Sequence, residues 1–278
     1  VPPDHLATYR AVGLTDLKIG EDAIVDLRTF SLQGGAMKSL RNAVHRFERE
    51  GNIIEMLDPP LPDPVLCELR SVSDEWLSLE GRRERGFTLG QWDDDYIRQC
   101  RVIVARDAGR AIQAFANLIP DGVPGEATVD LMRHRRAAPR GVMDVLFVRL
   151  MEHLRDEGYA AFSLGMAPLA AVGTSPDAPI KERVLRLLFE HANRWFSYRG
   201  LYAYKAKFQP RWEPRYLVYG SEVSLLKIAL AIVRLTEQPG HRGFEAQRRR
   251  RRVNWQEARE AMSAVPRWIL ARNSQPRL

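Results

Sequence analysis

The chain has 278 residues, of which 45% are hydrophobic, so it can bury the core of one large domain or two moderate ones. Its formal charge of +7 favours a polyanionic partner, either a nucleic acid or an anionic membrane surface. It has two cysteines without metal-type spacing, no signal peptide and no run of about 18 apolar residues. These features argue against a metal site, a disulfide framework and a membrane span within this sequence, and they favour a reducing compartment.

The first part of the chain predicts a strand, a helix and a stiff connector. Residues 23–27 read as a short strand and residues 37–50 as a helix. Four prolines between positions 59 and 64 predict a junction between two units. After this junction, residues 64–85 read as a helix with Ser73 as a possible N-cap.

The following part, up to about residue 220, alternates strands with helices. The predicted strands are 102–106, 111–118, 127–133, 159–165, 201–208 and 215–219, and the predicted helices are 143–157 and 180–196. This order predicts an α/β (α+β) protein with a mixed sheet flanked by helices, and it matches the order of the GNAT acyltransferase fold. We expect a partial first unit with a basic helix over 1–63, a second, catalytic unit over 64–220, and a C-terminal helix with a basic tail over 221–278.

Short sequence words recur along most of the chain and carry a family resemblance. In chain order they are KIGEDAIVDL (18–27), KSLR (38–41), SDEWL (73–77), ERGFTLG (84–90), DLMR (130–133), MD (143–144), LGMAPL (164–169), YKAKF (204–208) and WEPRYL (212–217). Each word is weak alone, but together and in this order they are specific. Over residues 9–219 the chain closely resembles the C-terminal domain of the multiple peptide resistance factor family, the lysyl- and alanyl-phosphatidylglycerol synthases.

The resemblance implies two GNAT-like folds in tandem, of which the first is incomplete here, and a membrane-spanning region upstream of Val1. It implies aminoacyl-tRNA as donor and phosphatidylglycerol as acceptor, at the cytoplasmic face of the cell membrane. Lysine is the first choice of amino acid, with alanine or arginine as alternatives, and no cofactor or metal is expected. Two other functions stay open, which are aminoacyl transfer to another acceptor and a non-catalytic lipid- or RNA-binding module of the same fold.

The loop over 135–141 bears on the choice of donor. An acetyltransferase of this fold binds the coenzyme A pyrophosphate on backbone N–H groups of a Gly-rich loop at a helix N-terminus. This loop has one glycine, and Pro139 removes an N–H donor, so coenzyme A is disfavoured. Arg135, Arg136 and Arg140 suit tRNA phosphates or a lipid headgroup, although a solvated basic loop is the alternative.

The candidate catalytic residues are Asp130, Arg133 and Lys205. Asp130 and Arg133 lie near the end of a predicted strand, where the acyl-transfer site opens in this fold. Aminoacyl transfer needs recognition of an ammonium group, help in deprotonating the lipid hydroxyl, and stabilisation of an oxyanion. Asp130 could serve either of the first two needs and Arg133 could hold a phosphate, whereas a structural ion pair is the alternative for both.

Six further residues are candidates for substrate binding. On the predicted strand 201–208, Lys205 and Lys207 share one face, which with Arg215 suits a phosphate. Asp144 either binds substrate or complements the dipole of the helix it begins. Ser163, Gly165 and Met166 lie at a strand end that lines the acyl site in this fold.

Two basic segments remain. Lys38, Arg41 and Arg46 belong to a stripe along one helix, which either attracts tRNA or lipid headgroups or is a solvated face. Residues 223–235 form either a membrane-surface helix or a packing helix, and the five arginines at 248–252 would reinforce contact with anionic lipid.

Overall fold

A computed structural model describes residues 1–80, 82, 84, 90–119, 125–168, 170, 172, 198–221, 223–225, 227–228 and 231. All of these belong to one compact unit, Val1–Gln238. The predicted helix 180–196, most of the segment 223–235 and the arginine run lie outside the described residues. Among the helices that are described, none has the length and apolar character needed to cross a membrane.

A mixed seven-stranded sheet forms the centre of the unit, with strand order β2-β3-β4-β5-β6-β1-β7. The strands are β1 (Thr15–Asp26), β2 (Ile53–Leu57), β3 (Val102–Arg106), β4 (Ile112–Ile119), β5 (Glu126–His134), β6 (Ala161–Pro168) and β7 (Arg211–Tyr219). The helices are α1 (Leu6–Ala11), α2 (Lys38–Arg49), α3 (Asp63–Leu77), α4 (Asp94–Arg98), α5 (Val142–Asp156) and α6 (Tyr198–Ala206). The predicted α/β class and the mixed sheet are confirmed.

Two apolar cores cover the two faces of the sheet. On β3 the alternation of side chains sends Ile103 to the core formed with α2 and α5, and Val104 to the core formed with α3 and α4. Phe147 of α5 lies in the first of these cores, and its ring contacts those of Tyr204 and Phe208. Both faces are therefore buried, and ligand access is expected at the strand ends rather than over a face.

The predicted strand 201–208 is wrong, because Tyr198–Ala206 is helix α6. The sequence alternates in a strand-like way, but Tyr204 and Phe208 are four residues apart and both pack on Phe147. A helical turn brings side chains with this spacing to one side, so the packing decides against the strand. Lys205 and Lys207 consequently do not share a sheet face.

One smaller expectation also fails. Ser73 lies inside α3 rather than at its N-cap, since the helix begins at Asp63 with a proline in its first turn, where the missing N–H costs nothing. The division at residues 63 and 64 stays a prediction; β2, which precedes it, pairs with β3, which follows it, in the same sheet. The sequence analysis also missed β2 and α4, which are each five residues long.

Candidate functional site

The sheet opens between β5 and β6, which are the one parallel pair among the described strands. These strands pair only at Glu126↔Ala161, Ala127↔Phe162 and Thr128↔Ser163, and beyond the last pair the two strands separate. The hydroxyl of Thr128 donates to the carbonyl oxygen of Ser163 over 3.0 Å and closes the narrow end of the gap. Beyond this point Met132 of β5 and Met166 of β6 are both exposed.

A β-bulge shapes the β6 side of the gap. Between the pairs Ile24↔Ser163 and Asp22↔Met166, β6 has one more residue than β1. The bulge contains Gly165, whose φ of +79° lies in the left-handed region that favours glycine. Its N–H donates to the Ser163 hydroxyl over 3.1 Å. Ser163 therefore holds the bulge, and this contact accounts for its place near the site.

Lys205 of α6 reaches this bulge with its amine. Its Nζ donates to the carbonyl oxygens of Gly165 and Met166 over 2.9 Å and 2.8 Å, and the residue is only 6% exposed. Burial lowers the pKa of Lys205 to about 8, and the negative charge of Asp22 partly opposes this shift. In the neutral form both N–H groups can donate to the two carbonyls, which leaves the lone pair free to accept a proton.

Asp130 lies on the β5 side of the gap. Its Oδ2 accepts a hydrogen bond of 3.2 Å from the Tyr96 hydroxyl of α4. Within the described part of the chain, no basic side chain lies within ion-pair distance of Asp130. A Cβ at Gly90 would overlap this carboxylate, so only glycine fits beside it. Asp130 is thus a carboxylate without a cationic partner among these residues, as an ammonium site requires.

Arg133, in contrast, is used inside the fold. It is 2% exposed, and its guanidinium donates to the Ser73 hydroxyl and, over 2.9 Å, to Glu84. The same group lies over the Trp76 ring, 5.4 Å from its centre. These contacts fit the structural ion pair that the sequence left open, and they leave no exposed guanidinium for a phosphate.

Asp144 and Lys207 form an ion pair at the start of α5. The Lys207 Nζ lies 3.0 Å from the Asp144 carboxylate, and the amine is 4.9 Å from the centre of the Tyr204 ring. Burial raises the pKa of Tyr204, and the charge of Asp144 adds to the shift. Asp144 therefore places a negative charge in the first turn of α5, where the helix dipole favours it.

Arg215 lies in another ion-pair network, on β7. Its Nε is 2.8 Å from Asp22, and its Nη1 is 3.1 Å from Glu213. The expected phosphate site of Lys205, Lys207 and Arg215 is therefore not assembled. The three cations face the β6 bulge, Asp144 and the pair Asp22 and Glu213, respectively.

The basic residues around α2 fall into two groups. Arg135 is tied into the fold by Glu75, at 2.8 Å, and by the carbonyl oxygen of Ile112, at 2.9 Å. Arg46 donates to the carbonyl oxygen of Arg140 and so joins α2 to the 135–141 loop. We define the basic surface as the cations of α2 and this loop whose side-chain nitrogens, among the described residues, have no carboxylate within 4 Å; its members are Lys38, Arg41, Arg46, Arg49, Arg136 and Arg140. The backbone N–H of Arg136 donates to Glu75 over 2.8 Å.

A separate cavity of about 400 Å³ lies between α2, α5 and the edge of the sheet. It is lined by Phe47, Ile54, Val145, Arg149 and His153, among others. None of the residues assigned above to the gap lines it, so the gap between β5 and β6 stays the candidate site.

The sequence analysis missed three residues next to Asp130: Gly90, Tyr96, and Asn117, whose amide donates to the Tyr96 hydroxyl over 3.2 Å. Asn117 carried a signal, since it is a polar residue in the otherwise apolar strand segment Ala114–Leu118. Tyr96 carried none, because its contact with Asp130 joins positions 34 residues apart and depends on the placement of α4.

Comparison with known proteins decides the family. Residues 1–219 match the family described as phosphatidylglycerol lysyltransferase, C-terminal. The chain belongs to this family. The membership confirms the resemblance read from the short sequence words.

Individual relatives agree. The phosphatidylglycerol lysyltransferase of Bacillus subtilis is 40% identical over 232 residues, covering 84% of this chain and 27% of the relative, so this chain spans about a quarter of that protein. The structure of L-PGS from Bacillus licheniformis superposes with a TM-score of 0.73 at 39% identity, over 84% of this chain and 71% of that one. The C-terminal domain of a proposed lysylphosphatidylglycerol synthetase from Agrobacterium fabrum superposes with a TM-score of 0.73 at 41% identity. The match covers 87% of this chain and 72% of that one.

The contacts of Arg133 predict a stability defect in the variant Arg133→Met. The change leaves Glu84 and the Ser73 hydroxyl without their partner, and we expect a loss of about 3 kcal/mol in the free energy of unfolding, measured with urea. Arg28→Met, at an exposed pair with Asp26, should leave the unfolding midpoint nearly unchanged. Wild-type stability in Arg133→Met would contradict the structural assignment.

Proposed function

We propose that this chain transfers a lysyl group from lysyl-tRNA to a glycerol hydroxyl of phosphatidylglycerol. Family membership supports the choice of amino acid and lipid, since the relatives are phosphatidylglycerol lysyltransferases. The observation that carries the proposal is the buried Lys205 amine, which lies beside the open gap with two carbonyl acceptors and one position left for a reacting group.

The proposed step exchanges one ester for another. The lipid hydroxyl attacks the carbonyl carbon of the lysyl ester, and the neutral amine of Lys205 accepts the hydroxyl proton. The tetrahedral oxyanion then collapses, the bond from the carbonyl carbon to the ribose oxygen breaks, and Lys205 returns the proton to that oxygen. The products are lysyl-phosphatidylglycerol and uncharged tRNA. Because an ester is consumed and an ester is formed, the step needs no nucleotide.

Asp130 is assigned to the donor. The lysyl group carries ammonium groups, and a carboxylate without a cationic partner among the described residues can accept one of them. Gly90 allows this close approach because it has no side chain next to the carboxylate. Asp130 thereby fixes the ester relative to Lys205, and correct placement of the reacting groups accounts for much of the acceleration of a transfer reaction.

The start of α5 argues against coenzyme A as the donor. A helix N-terminus attracts a pyrophosphate through its free N–H groups and its dipole. Here Asp144 already places a carboxylate in the first turn, paired with Lys207. A pyrophosphate at this position would meet a negative charge of the protein.

The basic surface is assigned to the tRNA backbone. Its six side-chain cations form no ion pair in the described part of the chain, whereas Arg101 and Arg106 each pair with two carboxylates and Arg135 pairs with Glu75. Arg46 of α2 donates to the carbonyl oxygen of Arg140, which lies in the loop directly before α5, so this surface is continuous from α2 to that loop. Arg135, expected from the sequence to belong here, is instead tied to Glu75.

The proposal places this chain at the cytoplasmic face of the cell membrane, downstream of a membrane-spanning region. Support comes from the length of the relatives, of which the chain spans 27% to 28%, and from a lipid acceptor that lies in a membrane. The formal charge of +7 also favours an anionic lipid surface.

Transfer itself is the first test. The purified chain is mixed with tRNA charged with radiolabelled lysine and with phosphatidylglycerol vesicles, and label in the extracted lipid is counted. We expect lysyl-tRNA to label the lipid and Asp130→Asn to reduce the rate at least tenfold, because an amide cannot replace the charge. Alanyl-tRNA and arginyl-tRNA, charged with labelled amino acids, are tested in the same assay for comparison. Label entering the lipid from either, but not from lysyl-tRNA, would overturn the assignment of lysine.

The lowered pKa of Lys205 predicts a pH dependence. A base must be neutral, so the single-turnover rate should rise as the pH increases through about 8 and level off above it. Lys205→Arg keeps a positive charge that does not titrate in this range, and its residual rate should lack this rise. If Lys205→Arg transfers at the wild-type rate, Lys205 serves as a positive charge and not as a base.

The basic surface predicts a salt-dependent contact with tRNA. The double variant Arg49→Ala and Arg140→Ala should weaken lysyl-tRNA binding and reduce the slope of log affinity against log salt by roughly two, about one for each lost phosphate contact. The matched control is Arg28→Ala with Arg155→Ala, two arginines that already have carboxylate partners. An equal loss in both double variants would show that only net charge matters. Filter binding at several salt concentrations gives the slopes.

A further inference from the structure

A second β-bulge places Asp130. Between the pairs Ala116↔Met132 and Leu118↔Val129, β5 contributes two residues and β4 only one. The two residues are Asp130 and Leu131, and the one opposite them is Asn117. A bulge interrupts the backbone ladder and turns a side chain away from its regular direction. The backbone at Asp130 therefore needs a partner from outside the ladder.

Asn117 supplies that partner with its side chain. Its Oδ1 accepts a hydrogen bond of 2.8 Å from the N–H of Leu131. This N–H belongs to the peptide bond that directly follows Asp130. Because a backbone N–H can only donate, the amide atom facing it must be the oxygen. The Nδ2 then faces the other way, and it donates to the Tyr96 hydroxyl over 3.2 Å and to the Cys100 sulfur over 3.5 Å.

This orientation fixes the direction of the next hydrogen bond. The Tyr96 oxygen receives a donor from Asn117, so its own proton is directed to Asp130, at 3.2 Å. Burial and the charge of Asp130 raise the pKa of Tyr96, which keeps the hydroxyl protonated at physiological pH. Three consecutive hydrogen bonds therefore link the Leu131 N–H, the Asn117 amide, the Tyr96 hydroxyl and the Asp130 carboxylate. One amide thus fixes the backbone of Asp130 directly and its side chain through Tyr96.

The burial of Asn117 indicates that this hydrogen-bond arrangement serves a function beyond the stability of the strand. The side chain is fully buried in β4, where its neighbours Ala116 and Leu118 are apolar. An apolar residue of similar size would avoid the desolvation of the amide, which is tolerated here because the oxygen and both amide N–H groups have partners. Stability of the strand alone does not call for an asparagine.

We propose that Tyr96 and Asn117 are positioning residues, which hold the Asp130 carboxylate so that it accepts an ammonium group of the lysyl donor. The proposal rests on the proposed function, because it takes Asp130 as the donor's ammonium site. Both residues act through Asp130.

Two variants test the contributions of Tyr96 and Asn117 to this hydrogen-bond network separately. Tyr96→Phe keeps the ring and removes only the hydroxyl that donates to Asp130. Asn117→Asp keeps the size of the side chain, but its carboxylate accepts the Tyr96 proton and so withdraws that donor from Asp130. Each should lower single-turnover transfer from lysyl-tRNA roughly tenfold, as expected for one hydrogen bond to a charged group. Tyr9→Phe, which removes a hydroxyl far from this network in sequence, is the control and should transfer at the wild-type rate.

A double-mutant cycle distinguishes positioning from general structural support. If Tyr96 acts through Asp130, Tyr96→Phe should reduce the rate roughly tenfold in the wild type but have no further effect in Asp130→Asn. If transfer by Asp130→Asn is too slow to measure, the same cycle is read from the dissociation constant of lysinamide, a lysyl donor analogue without tRNA.

The outcomes are separable. A tenfold loss in both backgrounds would show that Tyr96 only supports the fold, and a wild-type rate in Tyr96→Phe would also overturn the inference while leaving the proposed function intact. If wild-type protein labels the lipid and Asp130→Asn does so equally well, the ammonium site at Asp130 falls, and this inference falls with it. If the wild-type protein fails to label the lipid and to bind lysinamide, the proposed function itself is overturned.

Discussion

The two hydrogen bonds from the Lys205 amine to the carbonyl oxygens of Gly165 and Met166 join α6 to β6 where the sheet opens. They depend on the bulge at Gly165, because a regular strand directs its carbonyls to the neighbouring strands. They also determine the chemistry of the amine, since the backbone carbonyls solvate it without supplying a full negative charge. Desolvation therefore outweighs the attraction of Asp22, and the pKa falls to about 8.

Charged residues near the gap divide into those that stabilise the fold and those available to a substrate. Arg133, Arg135 and Arg215 all have carboxylates within 3.1 Å and form part of the framework. Asp130 and the basic surface have no opposite charge within ion-pair distance among the described residues. Exposed ion pairs add little stability, so pairing is informative here mainly because it identifies which charges are already neutralised. By this criterion the charges left without an ion-pair partner include the Asp130 carboxylate on β5 and the basic surface on α2 and the 135–141 loop, which lie on different elements.

Sequence patterns predicted the elements whose local signal and burial agree. The strand over 102–106 matches β3, because its side chains are apolar and buried from Val102 to Ala105, on both faces of the sheet. The helix over 37–50 matches α2, whose apolar positions Leu40, Val44 and Phe47 recur at helical spacing. The segment 201–208 shows both periodicities, and only the packing of Tyr204 and Phe208 on Phe147 decides between them.

The candidate site was less predictable, because its key contacts depend on two bulges. Asp130 and Lys205 were recognised from the family words, but the roles of their neighbours were not. Arg133 lies three residues after Asp130 in the sequence word DLMR, yet its guanidinium is directed to Ser73 and Glu84 inside the fold, whereas the Asp130 carboxylate accepts a hydrogen bond from Tyr96. Whether a residue on β5 faces the gap or the core depends on the extra residue of the bulge opposite Asn117, which shifts the alternation of side chains.

The two bulges lie on the two strands that separate, one at Asp130 on β5 and one at Gly165 on β6. Each turns polar groups out of the backbone ladder, and each is held by a side chain from another element, Asn117 of β4 or Lys205 of α6. A parallel pair that stayed in register would use these backbone groups for strand pairing and leave no gap. The irregularity that ends the pairing therefore also supplies the carboxylate on one side and the amine on the other. An ester held by its ammonium group at Asp130 would then lie between the two strands, within the opening that Lys205 borders.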